Sequence, residues 1–142
     1  MQPAGARIRS GNERWDPETG ALSMDISAAY PGSGLVNFVR TAVIKDGHVV
    51  VTDSPEFKET GFVEYNYMCV NEPVVLSPGR ISAGNAVMEY DPSLNVRIKA
   101  VDSASEPETA NIPSNWHVDN IYRIVLKTPE FSGARTDIVR IG

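Results

Sequence analysis

Apolar side chains recur at every second position through most of this chain, and nowhere with the 3.6-residue period of an amphipathic helix. In "LNVRIKAVD", Leu94, Val96, Ile98 and Ala100 fall on one face and Asn95, Arg97 and Lys99 on the other. "ALSMDISAA" places Leu22, Met24, Ile26 and Ala28 together, opposite Ser23, Asp25 and Ser27. "NFVRTAVI" sets Phe38, Arg40, Ala42 and Ile44 against Val39, Thr41 and Val43. "FVEYNYMCV" groups Val63, Tyr65, Tyr67 and Cys69. "IYRIVLKT" and "TDIVRIG" close the chain in the same way. A strand sends successive side chains to opposite faces, so this pattern predicts half-buried strands.

The intervals carry turn chemistry. Asp46-Gly47 stands between two β-rich runs, the strongest short-range hairpin signal, and Gly84-Asn85 divides "RISAGNAVMEYD" into two short strands. "WDPETG", "SPGR" and "DPSL" each supply a proline whose fixed φ suits a tight turn. The one long interval, Asp102 to Asn115, is acidic and proline-bearing and reads as an exposed connection. Short strands at spacings of roughly 8–12 residues predict an all-β fold, an antiparallel β-sandwich of about ten short strands. At 142 residues the chain is expected to form a single domain, 1–142.

Charge narrows the partners. A net charge of −5 repels nucleic acid, anionic lipid and sulfated or uronate glycans unless a local basic patch reverses the field. No run of Lys or Arg suggests such a patch, so neither nucleic acid nor a membrane is an expected partner. No apolar run approaches the roughly 20 residues that cross a bilayer, and the opening "MQPAGARIRSGNERW" has no apolar stretch of the kind signal peptides carry. The chain is therefore read as cytoplasmic or as a piece of a longer protein.

Candidate chemistry is sparse. Cys69 is the only cysteine and reads as a small buried hydrophobe. His48 follows the Asp46-Gly47 turn and is expected to face solvent; with His117 and Cys69 it offers no zinc-ligand pair at short spacing. Asp102, Glu106 and Glu108 resemble a calcium loop only weakly, since Pro107 intervenes and the turn glycine is missing. "SNWHVDNIYRIVLKT" brings Trp116, His117, Asp119 and Tyr122 close in sequence, the side chains of a sugar-handling corner. No serine elbow accompanies His117, which reads as a loop residue. Trp15 and Trp116 each stand just outside a strand, where an indole plugs a sandwich end or offers a sugar platform. No residue is assigned as catalytic, cofactor-binding or metal-binding, and no cofactor is expected.

Taken in succession, "SMDISAAYP" (23–31), "FVRTAVI" (38–44), "VTDSPEFKE" (51–59), "EYDPSL" (89–94) and "SNWHVDNIYRIVLK" (114–127) resemble the C-terminal β-sandwich of heparinase II/III-like polysaccharide lyases. The similarity spans roughly residues 21 to 128. It implies a parent protein with an α/α toroid that binds a uronate-containing glycan and cleaves it by β-elimination. The family's catalytic groups come from the toroid and from a His-Asn-Thr strand early in the β region, and this sequence contains no His-Asn-Thr. None of those groups maps onto a residue here. The resemblance thus implies an accessory, non-catalytic domain that meets glycan through its parent. A free-standing carbohydrate-binding module and a sheet-edge interaction domain are the alternatives. If the strand of Leu22, Met24 and Ile26 lacks its neighbour, its open edge favours a two-fold dimer, unless "ARIRS" (6–10) folds back over it.

Overall fold

The computed structural model describes residues 9–102 and 110–142. Glu106 and Glu108, and Ala6 to Ile8 of the "ARIRS" stretch, lie outside the described residues. The fold is all-β, sandwich-like, and the strand pairings described within each part of it are antiparallel. Twelve strands are described: β1 (Gly11–Asp16), β2 (Ala21–Asp25), β3 (Leu35–Lys45), β4 (His48–Gly61), β5 (Glu64–Cys69), β6 (Pro73–Ser77), β7 (Arg80–Ala83), β8 (Ala86–Glu89), β9 (Asn95–Asp102), β10 (Asn120–Lys127), β11 (Phe131–Ala134) and β12 (Asp137–Ile141). One short helix, α1 (Ile112–Trp116), and a 3-10 turn at Ser27–Ala29 complete the described elements. The chain divides into two compact units, 1–62 with 130–142, and 63–129.

In the first unit the strands lie in the order β1-β2-β3-β4-β12, and β11 pairs β4 beyond β12. The β3–β4 hairpin turns where the sequence predicts. Asp46 and Gly47 both take positive φ, 52° and 76°, and Lys45 pairs with His48. Two consecutive left-handed residues match the right-handed twist of the flanking strands. Phe38, Phe57 and Val139 form the buried side of this sheet. Removing side chains of that size from water stabilises the unit by roughly 1.5–3 kcal/mol each.

The second unit holds a three-stranded sheet, β5-β10-β9, and the β6-β7-β8 hairpins. Tyr65, Ile124 and Leu126 are buried on one face of the three-stranded sheet. The Gly84-Asn85 turn joins β7 to β8, with Ala83 paired to Ala86. Thr128 closes the unit: its N–H donates to the Val63 carbonyl at 2.9 Å, and its hydroxyl accepts the Val63 N–H at 3.0 Å.

Several local expectations are corrected. The strand through Leu22 and Met24 ends at Asp25, because the Asp25 carboxylate accepts the Ser27 N–H at 2.9 Å and starts the 3-10 turn. That strand is not an edge: β1 pairs along it, Trp15 against Leu22 and Arg14 against Ser23. Trp15 therefore lies within a strand rather than just outside one, whereas Trp116 stands outside a strand as expected, at the end of α1 and ahead of β10. The segment expected as an open connection contains that helix, started by Pro113, whose missing N–H costs nothing in a first turn. β6 and β11 escaped the pattern because neither alternates: β6 has three apolar residues in a row, and three of the four residues of β11 are small.

Candidate functional site

The face of the β5-β10-β9 sheet opposite Tyr65, Ile124 and Leu126 is built from the alternate positions of the same strands. Register places Lys99 directly across from Arg123, and Arg123 across from Met68. The next row is Arg97, Val125 and Asn66, and the third is Asn95, Lys127 and Glu64. Four cations thus share one face with a single carboxylate. Neighbouring strands are about 4.8 Å apart, and next-but-one residues along a strand about 6.8 Å. Those spacings fall within the roughly 8 Å Debye length at physiological salt, so the cations of this face, outnumbering its one carboxylate, make it locally positive despite the net −5 of the chain. The sequence reading expected no basic patch. The structure assembles one across strands.

The carboxylate is already engaged. Arg97 reaches diagonally across β10 to Glu64, Nη2 to Oε1 at 2.7 Å. The reach takes it over Val125, which is buried although it sits on this outward face. Arg97 stands directly across from Val125, where its methylenes can cover apolar surface as long cationic side chains do. Lys99 and Arg123 have no carboxylate partner among the described residues. Like charges placed directly opposite on a sheet are destabilising, so this pair is a cost that strand packing gives no reason to bear.

At its far end the same face carries α1. Val101 and Ile121, paired on β9 and β10, cluster with Ile112 of the helix, and Val118 packs against them. Trp116, 40% exposed, and His117 stand on this helix and its cap. His117 takes a left-handed conformation, φ 58°, and its N–H closes the helix on the Pro113 carbonyl at 3.1 Å. Tyr122 projects from the other face of β10, toward the side of Ile124 and Leu126, in register with Cys69 and Ala100. The helix and Tyr122 are on opposite sides of one sheet. His117 and Tyr122 are not brought together as a base and an acid, which need a shared reacting atom within hydrogen-bond reach.

The remaining candidates are dispersed. His48 is half-buried rather than solvent-facing, with Nδ1 2.8 Å from the Asp46 carbonyl oxygen. The Cys69 thiol donates to the Asn71 carbonyl at 3.4 Å, and partial burial raises its pKa, which disfavours the thiolate. Trp15 is 65% exposed, and its indole lies over Gly20. Among the described residues no group of three or more His, Cys, Asp or Glu is placed to hold a metal ion, and no helix is long and apolar enough to cross a membrane.

The signal for the cationic face was present in the sequence but spread over two segments. Arg97 and Lys99 are two apart, and Arg123 and Lys127 four apart, so each pair must share a face of its strand. Only the pairing of β9 with β10 puts the two pairs on the same face. No protein-family model matches the chain, and no curated protein matches it.

Proposed function

We propose that the chain is an accessory β domain of a heparinase II/III-like lyase protein, without lyase chemistry of its own, and that its β5-β10-β9 face holds an anionic glycan. The observation that carries the reading is the Lys99–Arg123 pair, two like charges opposite one another, Lys99 exposed and Arg123 half-buried, with no carboxylate partner among the described residues. A bound carboxylate or sulfate would relieve that repulsion and accept charge-assisted hydrogen bonds, which contribute about 1.5–3 kcal/mol each. The succession of strand and turn segments resembling the lyase β-sandwich supports the same reading. Cleavage would fall to residues outside this chain, because β-elimination requires a base and an acid on one substrate atom set and His117 and Tyr122 lie across a sheet from one another.

Calorimetry at physiological salt against heparin oligosaccharides, polyguluronate and a neutral cellulose oligosaccharide tests the binding half. Expected is weak, salt-sensitive binding to the two anionic glycans and none to the neutral one. Arg123→Glu should lower affinity about tenfold or more, equivalent to about 1.4 kcal/mol. Equal binding to the neutral glycan, or an Arg123→Glu protein that binds as before, defeats the reading. Tighter binding to single-stranded DNA than to either glycan would transfer the face to nucleic acid. Ultraviolet absorbance of unsaturated uronate tests the other half: no product is expected, and product abolished by His117→Ala would show a catalytic centre here.

A further inference from the structure

We infer that the chain pairs with a second copy of itself along the open edge of β6. This stands independently of the glycan-binding reading. Among the described residues β6 pairs only with β7, and it ends its sheet. An edge strand presents a row of backbone donors and acceptors, and natural proteins blunt such edges with charge, bulges, proline or brevity.

The other outer strands carry those devices. β1 has Glu13, Arg14 and Asp16, and a register slip between Gly11 and Arg14 where Asn12 takes a φ of 53°. β9 carries Arg97, Lys99 and Asp102, β5 begins with Glu64, and β11 is four residues long. β6 differs. No charged residue falls between Glu72 and Arg80, and Val74, Val75 and Leu76 are 55%, 50% and 53% exposed in succession. Its protective features are Pro73 at its first position, a length of five residues and a slip between Val75 and Ser77, which still leave Pro73, Val74 and Val75 in continuous register with β7 and no charge on the strand.

Charge selects the partner. Two copies that each carry −5 repel over most of their surfaces, and an uncharged strand is where they can approach. Antiparallel pairing about a two-fold axis at Val75 also runs the Glu72 end of each copy beside the β6–β7 turn of the other. Just after that turn β7 begins with Arg80, more than half exposed and only loosely held by Glu89 at 3.6 Å. The edge is thus complementary to itself at its ends and neutral at its centre. Five residues of edge make a small interface, so the dimer is weak and concentration-dependent.

Sedimentation velocity of the whole chain across a wide concentration series tests this. Expected is a monomer that becomes a dimer as concentration rises, with Val74→Lys raising the dissociation constant at least about tenfold and Ile44→Lys leaving it unchanged. Ile44 is the control because it is an exposed apolar residue of β3, remote in sequence and on another strand. A chain that stays monomeric throughout overturns the inference, as does a folded Val74→Lys protein that dimerises normally. Should Val74→Lys fail to fold, hydrogen exchange of the wild-type chain decides. Amides of residues 74–77 should gain protection as the dimer forms, and a dimer that leaves them unprotected overturns the inference.

Discussion

Asp53 and Asp137 face one another across β4 and β12, each 2% exposed. Two carboxylates in that position would drive the strands apart without counter-charges. Arg40, opposite Asp53 on β3, supplies a two-pronged bond, Nε to Oδ1 at 2.7 Å and Nη2 to Oδ2 at 2.9 Å. Arg135, two residues from Asp137, holds the second carboxylate, with Nη2 2.8 Å from Oδ1. Asp53 is the buried member and Arg40 is 37% exposed, so Arg40→Ala leaves a buried carboxylate without its counter-charge and should lower unfolding free energy by roughly 3 kcal/mol, read from urea denaturation. An Arg40→Met, Asp53→Leu double replacement should recover much of that loss, because a well-packed apolar pair replaces a buried ion pair at little cost. Glycines make a second residue-scale test. Gly47 and Gly79 both have positive φ, 76° and 81°, but a Cβ at Gly47 meets nothing, whereas one at Gly79 would lie 2.8 Å from the Tyr90 carbonyl oxygen. Gly47→Ala should cost about 1 kcal/mol from backbone strain alone. Gly79→Ala should cost clearly more in the same denaturation series, since backbone must shift as well.

At the scale of elements, the β1–β2 hairpin is held by one carboxylate. Asp16 accepts the Thr19 hydroxyl at 2.7 Å and the Glu18 N–H at 2.9 Å, which together hold its pKa below the ordinary aspartate value, the hydroxyl contributing most. A depressed carboxylate pKa contributes stability above the unfolded value and loses it as pH falls through the folded one. Amide exchange at Asp16–Ala21 should therefore quicken as pH drops below the ordinary aspartate range, after correction for intrinsic rates, and Asp16→Asn should reduce that dependence, leaving the part due to Glu13 and Asp25, whose hydrogen bonds to Ser10 and Ser27 also lower their pKa values. β5 was legible because it buries or half-buries Tyr65, Tyr67 and Cys69 and exposes Glu64, Asn66 and Met68, so the side-chain period reports the backbone directly, and the apolar-polar alternation of β9 reads the same way in sequence. β1 was not: "GNERWD" has no apolar alternation, and β2 rather than its own composition holds it in place. α1 was hidden for a related reason. Five residues are too few to show a helical period, and its one buried side chain, Ile112, is buried by β9 and β10.

For the whole molecule, the unit formed by 1–62 and 130–142 joins the two ends of the chain, with β12 and β11 pairing β4 from far along the sequence. Deleting residues 130–142 removes Val139 and Asp137 and exposes the flank of β4 opposite β3. That truncated chain should lose the native tertiary signal of Trp15, which near-ultraviolet circular dichroism and fluorescence would record. Local alternation and turn chemistry already determined that this chain is all-β, where its main hairpins turn, and that Arg97 and Lys99 face the same way, because side-chain period and φ preference are properties of a few neighbouring residues. Tertiary structure alone decided which strands lie side by side. It therefore decided that β1 covers β2, that two buried aspartates each meet an arginine, and that Lys99 stands opposite Arg123 on one cationic face. Pairing depends on which distant segments can bury their apolar faces together, and a one-residue slip in register would turn every one of those side chains to the other side of the sheet.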